Sequence, residues 1–569
     1  MFRSVKRQVV LGSLALALSA CSGQIGGAAG AGDRGGNGPA PESVFGPITC
    51  EDPSLAGEAP LRRLSVQQYA NVLRDLFGSA ALDQASSSLA LLPSDGEDEK
   101  SFSQMDMRLA QRHVDAFFAV ADEVSADTVA DSGQMSSLLG SCAGNIDQPC
   151  FEGFVRTFGR RVYRRPLTGD ELNRYLELFD AAAPTQSVQD TLLVMLMAPP
   201  FLYHMETEGS VDGSRLTLEP YALASRLSFH FWQTMPDAEL FEAAEDGSLM
   251  TEEGYRVQVD RLVSDPRTQD TVRQFFSEWY RLGGFIGFVQ NPQFDRFAEA
   301  IEIAGLYEEM VAEAQSLVDY YTWDVDGSYR DILTSSLSFA RDDRLAGIYG
   351  VPAWDGANVP PSLPSGERSG LLTRAAFLVS GDAGTNPFKR GSFIRKHVLC
   401  DQLAQPTNLP PGSLAPPDPD PERTTRQRFS DKVAEQPCYG CHTQFADLGY
   451  VLESYDGLGR YRTEEEIFDD MGEWIATLPV DSTGAPRIDF DNDAEVSGPV
   501  EMLEEIASNE KAVSCFARHY FRYTYRRNER TSDGCSLASI RDAVVEGIPL
   551  RNVLTDIAMQ PAFRERVLE

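Results

Sequence analysis

Apolar residues along this chain recur mostly at helical spacing. In LSVQQYANVLRDLFG (64–78), Val66, Tyr69, Val72, Leu73, Leu76 and Phe77 fall on one face of a 3.6-residue repeat. Ser65 and Gln68 have the spacing of a capping box, and Gly78 stands where such a helix would stop. LTGDELNRYLELFDAA (167–182) repeats this grammar with Thr168 and Glu171. The stretch 216–249 predicts two helices parted at Met235-Pro236, the second ended by Gly247. Further helical patterns run over 296–322, 511–527, 536–546 and 549–557. Strand-like alternation is scarce, and one short hairpin is expected between Trp474 and Val496. Residues 352–369 and 405–422 are rich in Pro and read as joints. At 569 residues the chain is too long for one core. The expected fold class is mainly α, with several helical domains in series and at most a short β-hairpin.

The start of the chain bears on compartment, and compartment changes what cysteines mean. Arg3, Lys6 and Arg7 precede an apolar run from Val9 to Ala20, too short to span a bilayer as a helix. The run ends in Leu18-Ser19-Ala20-Cys21, the pattern of a lipoprotein signal cleaved before a cysteine that then takes lipid. An ordinary signal peptide cut nearby is the alternative. Residues 22–48 are rich in Gly, Ala, Ser and Pro and predict a flexible tether. The expected location is therefore outside the cytoplasm, membrane-anchored on the periplasmic side or in the outer membrane. The net charge of −35 argues against nucleic acid and against charge-driven binding to anionic lipid, and favours solubility or a basic partner.

Beyond Cys21, eight cysteines remain: 50, 142, 150, 400, 438, 441, 515 and 535. Export permits disulfides. Proximity in sequence pairs Cys142 with Cys150 and Cys515 with Cys535, leaving Cys50 and Cys400 over. Cys438 and Cys441 stand apart because they belong to CYGCH (438–442), a C-x-x-C-H motif. Such a turn presents two thiols to the two vinyl groups of a haem and an imidazole to its iron, which makes His442 the proximal ligand. Three other readings compete. Zinc would need a fourth ligand, for which Cys400 is available. A thioredoxin-like dithiol would need a βαβ context, which the pattern lacks. A local disulfide would make the chain a non-enzymatic scaffold and leave His442 unexplained.

The surrounding residues carry a resemblance. CYGCHTQFADLGYVLESYDGLGRYR (438–462) is similar to the signature of the planctomycete-type cytochrome c-like family, which is also abundant in myxobacteria. LRRLSVQQYANVLRDLFG (61–78), FGRRVYRRPLTGDEL (158–172), APPFLYHMETEG (198–209) with YALASRLSFHFWQTMPDAEL (221–240), RSGLLTRAAFLVSGDAGTNPFKRGSFIRKHVLC (368–400) and CFARHYFRYTYRRNERTSDGC (515–535) resemble its other segments. The resemblance implies a signal (1–20), a tether (21–57), helical domains at 58–145, 146–212 and 213–350, a cytochrome c-like domain at 366–465 and a C-terminal helical domain at 480–567. It strengthens the reading of covalent haem c but brings no reaction with it; electron transfer to a partner protein is the role expected of a chain with one such haem. Tyr450, Leu452, Tyr455 and Leu458 would wall the ring, and Arg460 or Arg462 would meet a propionate.

Two departures stand out. Leu448 replaces the proline usual in this signature, so a rigid turn there is less expected, and Lys432 stands where relatives often carry a histidine. For the sixth iron ligand His397 is the favoured residue, ahead of His519, Met471 and Met502. The commoner reading of His397 is a helix-face residue in FIRKHVLC, and an open position is equally allowed. His230 reads as a core histidine, DFDNDAE (489–495) as a solvated loop, and the Arg-rich runs 159–165 and 521–530 as intramolecular ion pairs. No Ser-His-Asp, P-loop or dinucleotide fingerprint appears, so a redox role is preferred over hydrolysis or group transfer, with a haem-dependent oxidoreductase on an unknown substrate as the alternative. The targeting reading predicts that Cys21→Ser releases the protein from the membrane fraction; equal partitioning of mutant and parent would sink it.

Overall fold

The computed structural model describes residues 48–50, 61–96, 102–105, 109–285, 287–289, 291–404, 415–436 and 438–567. The expected signal (1–20), the expected acylation at Cys21 and the expected tether as far as residue 47 lie outside them; Ile48 is buried in the main core and Cys50 is disulfide-bonded, so residues 48–50, which the tether (21–57) was expected to include, are anchored. The molecule is 57% helical, with 27 α-helices among the described residues and a few short strands in small sheets. The mainly α class is as expected. None of these helices is long and apolar enough to cross a membrane.

Local chemistry explains many helix ends. The helix Val66–Phe77 starts on a Ser65–Gln68 capping box and stops at Gly78, whose φ is +87°. Thr168 and Glu171 form the same box for Gly169–Leu176, which ends earlier than the sequence pattern suggested. The 216–249 stretch resolves into a strand Arg215–Leu218, a helix Pro220–Phe231 and a helix Ala238–Glu245, with Gly247 left-handed beyond it. The helical pattern at 296–322 becomes Leu306–Asp319 continued by one wide turn, Tyr320–Asp324.

The expected hairpin is displaced. It runs between Glu464–Phe468 and Trp474–Pro479, while Gly484 and Val496 share only an isolated bridge. The turn forms because the Asp469 carboxylate accepts from the N–H groups of Met471 and Glu473. In sequence the first strand is hidden by Glu464-Glu465-Glu466. Glu465 is in fact buried, accepting from the Thr425 backbone and hydroxyl.

Three large apolar clusters cross the segment boundaries. One gathers residues from the first two segments with Phe229 and Met235. Another joins Leu216 to Val263 with Ala558 and Phe563 near the C-terminus. The largest joins Phe275, Trp279 and Met310 to Leu371, Leu448 and the C-terminal helix Glu510–Tyr525. Sheet pairing repeats this, since Arg215–Leu218 is flanked by Gly209–Asp212 and by the C-terminal strand Glu565–Val567.

Disulfides add long ties. Cys142 bonds Cys150. The pairing of Cys515 with Cys535 does not occur: Cys515 bonds Cys400, and Cys535 bonds Cys50 across 485 residues of sequence. The reason is packing. Cys515 lies inside the helix Glu510–Tyr525 and faces the His397–Cys400 segment, whereas Cys535 opens the next helix, Gly534–Val545.

The Arg-rich runs are paired internally. Arg160 meets Glu245, Arg165 meets Glu171, Arg522 meets Glu529 and Arg527 meets Asp533. The partly buried Arg226 grips the buried Glu206 through two hydrogen bonds of 2.6 and 2.9 Å and also donates to the carbonyls of Phe563 and Glu565. Burial pushes the Glu206 carboxyl up, but the charge and hydrogen bonds of Arg226, with Arg62 and Arg526 behind it, pull it further down, to about 2. A carboxyl depressed from 4.5 to about 2 by folding contributes stability that is complete above pH 4.5 and is lost as pH falls through 2. Urea midpoints measured across that window should therefore fall more steeply for the wild type than for Glu206→Gln, which starts lower at neutral pH by on the order of 3 kcal/mol; parallel curves would refute this.

Candidate functional site

The C-x-x-C-H turn is built on three short helices. Asn386 caps the helix Pro387–Phe393, accepting from the Lys389 N–H at 3.0 Å, with Pro387 at its first position. Cys438–His442 forms one helical turn, and Ala446–Tyr450 follows it. The segment around Leu448 is thus helical, and the Leu448 side chain is wholly buried in the main core. Two glycines let the first and third helices touch backbone to backbone. A Cβ on Gly449 would lie 1.8 Å from the Pro387 carbonyl oxygen, and one on Gly391 would lie 2.1 Å from that of Phe445.

This contact sets the pocket for His442. Its ring lies 4.1 Å from Phe388 and 5.0 Å from Phe445, and Phe388 packs in turn on Phe429 and Tyr450. Nδ1 of His442 is buried without a hydrogen-bond partner, and burial pulls the imidazole below its ordinary pKa. Cys438 and Cys441 are free and half-buried, so the local disulfide of the scaffold reading is not formed. Burial, then the neighbouring Cys438, pushes the Cys441 thiol up, the opposite of an activated redox dithiol. The zinc reading loses its fourth ligand, because Cys400 is bonded to Cys515. Among the described residues the metal-like cluster of ligand atoms is Cys400, Cys515 and His519, not the C-x-x-C-H set.

Behind this turn stands Arg390, which is buried and donates to the carbonyls of Leu378, Leu452, Tyr455 and Asp456 at 2.6–3.0 Å. Burial lowers its guanidinium to about 10. A cavity of about 910 Å³ opens on the same helix, lined by Phe377, Lys389, Arg390, Phe393, Arg428 and Phe429 among others. Cys438, Cys441 and His442 do not line it; Phe429 lines it and also packs on Phe388.

Of the residues expected around a cofactor, Tyr450 joins the His442 cluster, whereas Leu452 and Tyr455 lie in the main core and Leu458 packs with Phe294. Arg460 pairs with Asp456 and lies over Phe297, and Arg462 pairs with Glu453. His397 stacks on Phe393, His519 stacks on Trp279, Met502 is buried in the main core and Met471 is exposed at the hairpin turn. Lys432 ends the helix Thr425–Lys432 and donates to the Ala415 carbonyl. His230 is a core histidine, as read, with Nε2 facing a small gap beside Thr268 and Tyr520. Sequence reasoning missed Phe388, Phe429 and Arg390; the first and last sit in NPFKRG, just after the asparagine cap, where a signal was available.

Fold and site together define a mainly α, multi-segment protein in which a histidine with an unpartnered, buried Nδ1 follows two free thiols. Five family models match it in series, each described as a protein of unknown function: DUF1587 over residues 62–130, DUF1595 over 150–206, DUF1592 over 218–351, DUF1588 over 368–465 and DUF1585 over 492–563. The chain thus carries several domains of the planctomycete cytochrome c-like families, one after another. No curated protein and no solved structure matches it.

The glycine contact makes a direct prediction. Gly449→Ala and Gly391→Ala should each lower the unfolding free energy by about 1–3 kcal/mol and the denaturation midpoint with it. Gly440→Ala, whose Cβ would meet only the end of Gln436 at 3.4 Å, should be tolerated. Equal midpoints for all three variants would show that the two helices do not depend on the close approach.

Proposed function

We propose that this chain is an electron-transfer lipoprotein of the bacterial envelope that carries one covalent haem c. The observation that carries this reading is His442: a buried ring nitrogen without a partner, its ring held against Phe388 and Phe445, one residue from Cys441 and four from Cys438, both free. That donor set fits the group. Two thiols would form thioethers, and the imidazole, kept neutral by burial, would ligate iron. When bound, haem supplies a one-electron ferric–ferrous couple. The chain's own residues do the rest. Phe388, Phe429 and Tyr450 keep water from the imidazole, and Arg390 holds the segment 452–456 against the helix that bears Phe388.

Three disulfides support export, since they persist in oxidising compartments. Export and the Leu18-Ser19-Ala20-Cys21 pattern together support anchoring by lipid alone, with Cys21 as the modified residue. The charge of −35 favours a redox partner protein with a basic face and disfavours nucleic acid.

A second reading, a haem-dependent oxidoreductase, is favoured by the 910 Å³ cavity with its aromatic walls and four cationic side chains, Arg281, Lys389, Arg390 and Arg428. Exogenous cyanide or carbon monoxide separates the two. An electron carrier with both axial positions filled resists them, whereas an enzyme with an open position binds them readily.

The test of the proposal is maturation in a host that attaches haem c. The intact mass should rise by one haem and a Soret band should appear. Cys438→Ala with Cys441→Ala should abolish covalent haem, and His442→Ala should shift or remove the Soret band. Wild-type protein that emerges from a competent host without haem would overturn the reading.

A further inference from the structure

A second cluster of ligating side chains lies away from the C-x-x-C-H turn. The sulfurs of Cys400 and Cys515 and a ring nitrogen of His519 lie within 4.8 Å of one another. Cys515 and His519 are four residues apart on the helix Glu510–Tyr525 and so share a face. Cys400 follows the wide turn Ile394–Val398 and is held at φ +55°, a left-handed conformation rare for a non-glycine residue. His519 is only 3% exposed, neither ring nitrogen makes a well-aligned hydrogen bond, and the His397 carbonyl lies beside the ring. A buried imidazole met by at most that one carbonyl keeps a nitrogen lone pair free to ligate.

The ring is fixed in place. Trp279 stacks on it at 5.0 Å, and the Trp279 indole N–H donates to the His397 carbonyl at 2.8 Å. That same carbonyl oxygen lies 3.2 Å from the Cys515 sulfur.

We propose that Cys400, Cys515 and His519 form a thiolate–imidazole site for a zinc-like divalent cation, closed by the Cys400–Cys515 disulfide and opened when a dithiol reduces it. In the opening step the disulfide takes two electrons and two protons from the dithiol, which becomes a disulfide itself. In the binding step the cation displaces one proton from each thiol and accepts a lone pair from neutral His519. Two thiolates balance the charge of the cation, so the filled centre adds no net charge to the core. Three protein ligands with soft sulfur donors suit zinc-type ions over magnesium or calcium, and the fourth position falls to water or to the His397 carbonyl. This inference does not depend on whether haem binds at His442.

Cobalt(II) is the probe, and the full mature chain carrying Cys438→Ser and Cys441→Ser removes the two thiols of the C-x-x-C-H turn, while the alkylation pattern below separates Cys400 and Cys515 from the four other cysteines that reduction frees. After anaerobic reduction and removal of the dithiol, cobalt should give thiolate charge-transfer and tetrahedral visible bands that saturate at one equivalent and are displaced by zinc. The oxidised chain should give neither. Adding His519→Gln should weaken binding on the order of tenfold or more, since even residues outside the ligand set shift metal affinity that far. Zinc should protect Cys400 and Cys515 from alkylation in the reduced chain while Cys50, Cys142, Cys150 and Cys535 are modified. The proposal is overturned if the reduced chain shows no cobalt–thiolate band, if His519→Gln binds equally well, if protection falls on other cysteines, or if reduction abolishes the helical circular dichroism.

Discussion

A guanidinium removed from water must have its N–H groups met by oxygens, and the cytochrome-like segment is arranged around one that is. Arg390 draws the carbonyls of Leu378, Leu452, Tyr455 and Asp456 onto a single side chain. Those carbonyls lie where the helices Ala375–Leu378 and Val451–Ser454 end and release the chain. The residues after the C-x-x-C-H turn are thereby folded back on the helix that carries Phe388, and Phe388 is what His442 packs against. Two more wholly buried arginines act alike. Arg374 binds Glu313 and the carbonyls of Gly370 and Leu337, and Arg395 binds Asp401 and the carbonyls of residues 486–488. Apolar contact is not directional, whereas these bonds are, so they decide where the loops run.

The same anchors make the site a property of the whole molecule. The segment at 368–465 owns only the small cluster of Phe388, Phe429, Ala446 and Tyr450. Its other buried residues, among them Leu371, Ile394, Leu448 and Val451, pack with the C-terminal helix and with Phe275 and Trp279. Cys400–Cys515 ties that arrangement covalently, and Cys50–Cys535 fastens the start of the described chain to the same C-terminal region. Segments recognised separately by family models are therefore not separately packed. This interdependence places the histidine-bearing turn by Phe388 and the Cys400–Cys515–His519 cluster by His397, toward the two ends of one helical stretch, Pro387–Val398.

Local signals were legible wherever the interaction was local. The capping boxes at Ser65 and Thr168, the stop at Gly78 and the break at Met235-Pro236 all act within a few residues, and the structure carries them. The Arg-rich runs read as internal ion pairs for a simple reason of excess: 85 acids surround 50 bases. The hairpin was misplaced because Glu465 is buried beside Thr425, and a buried carboxylate breaks the alternation that marks a strand. The Cys515–Cys535 pairing failed because nearness along the chain says nothing about which face of a helix a thiol occupies.

Sequence alone determined the helical class, the ends of several helices and the Cys438-x-x-Cys441-His442 turn, since each rests on residues no more than about four apart. Tertiary structure decided the rest. It left Cys438 and Cys441 free, bonded Cys400 to Cys515, turned Tyr455, Arg460 and Arg462 toward internal partners, and brought Phe388 to His442 with Phe429 packed behind it. Apart from the Arg460–Asp456 pair, four residues apart, these outcomes depend on contacts between residues from nine to more than a hundred positions apart. Such contacts follow from how buried charges and apolar faces are satisfied jointly, which no local pattern encodes.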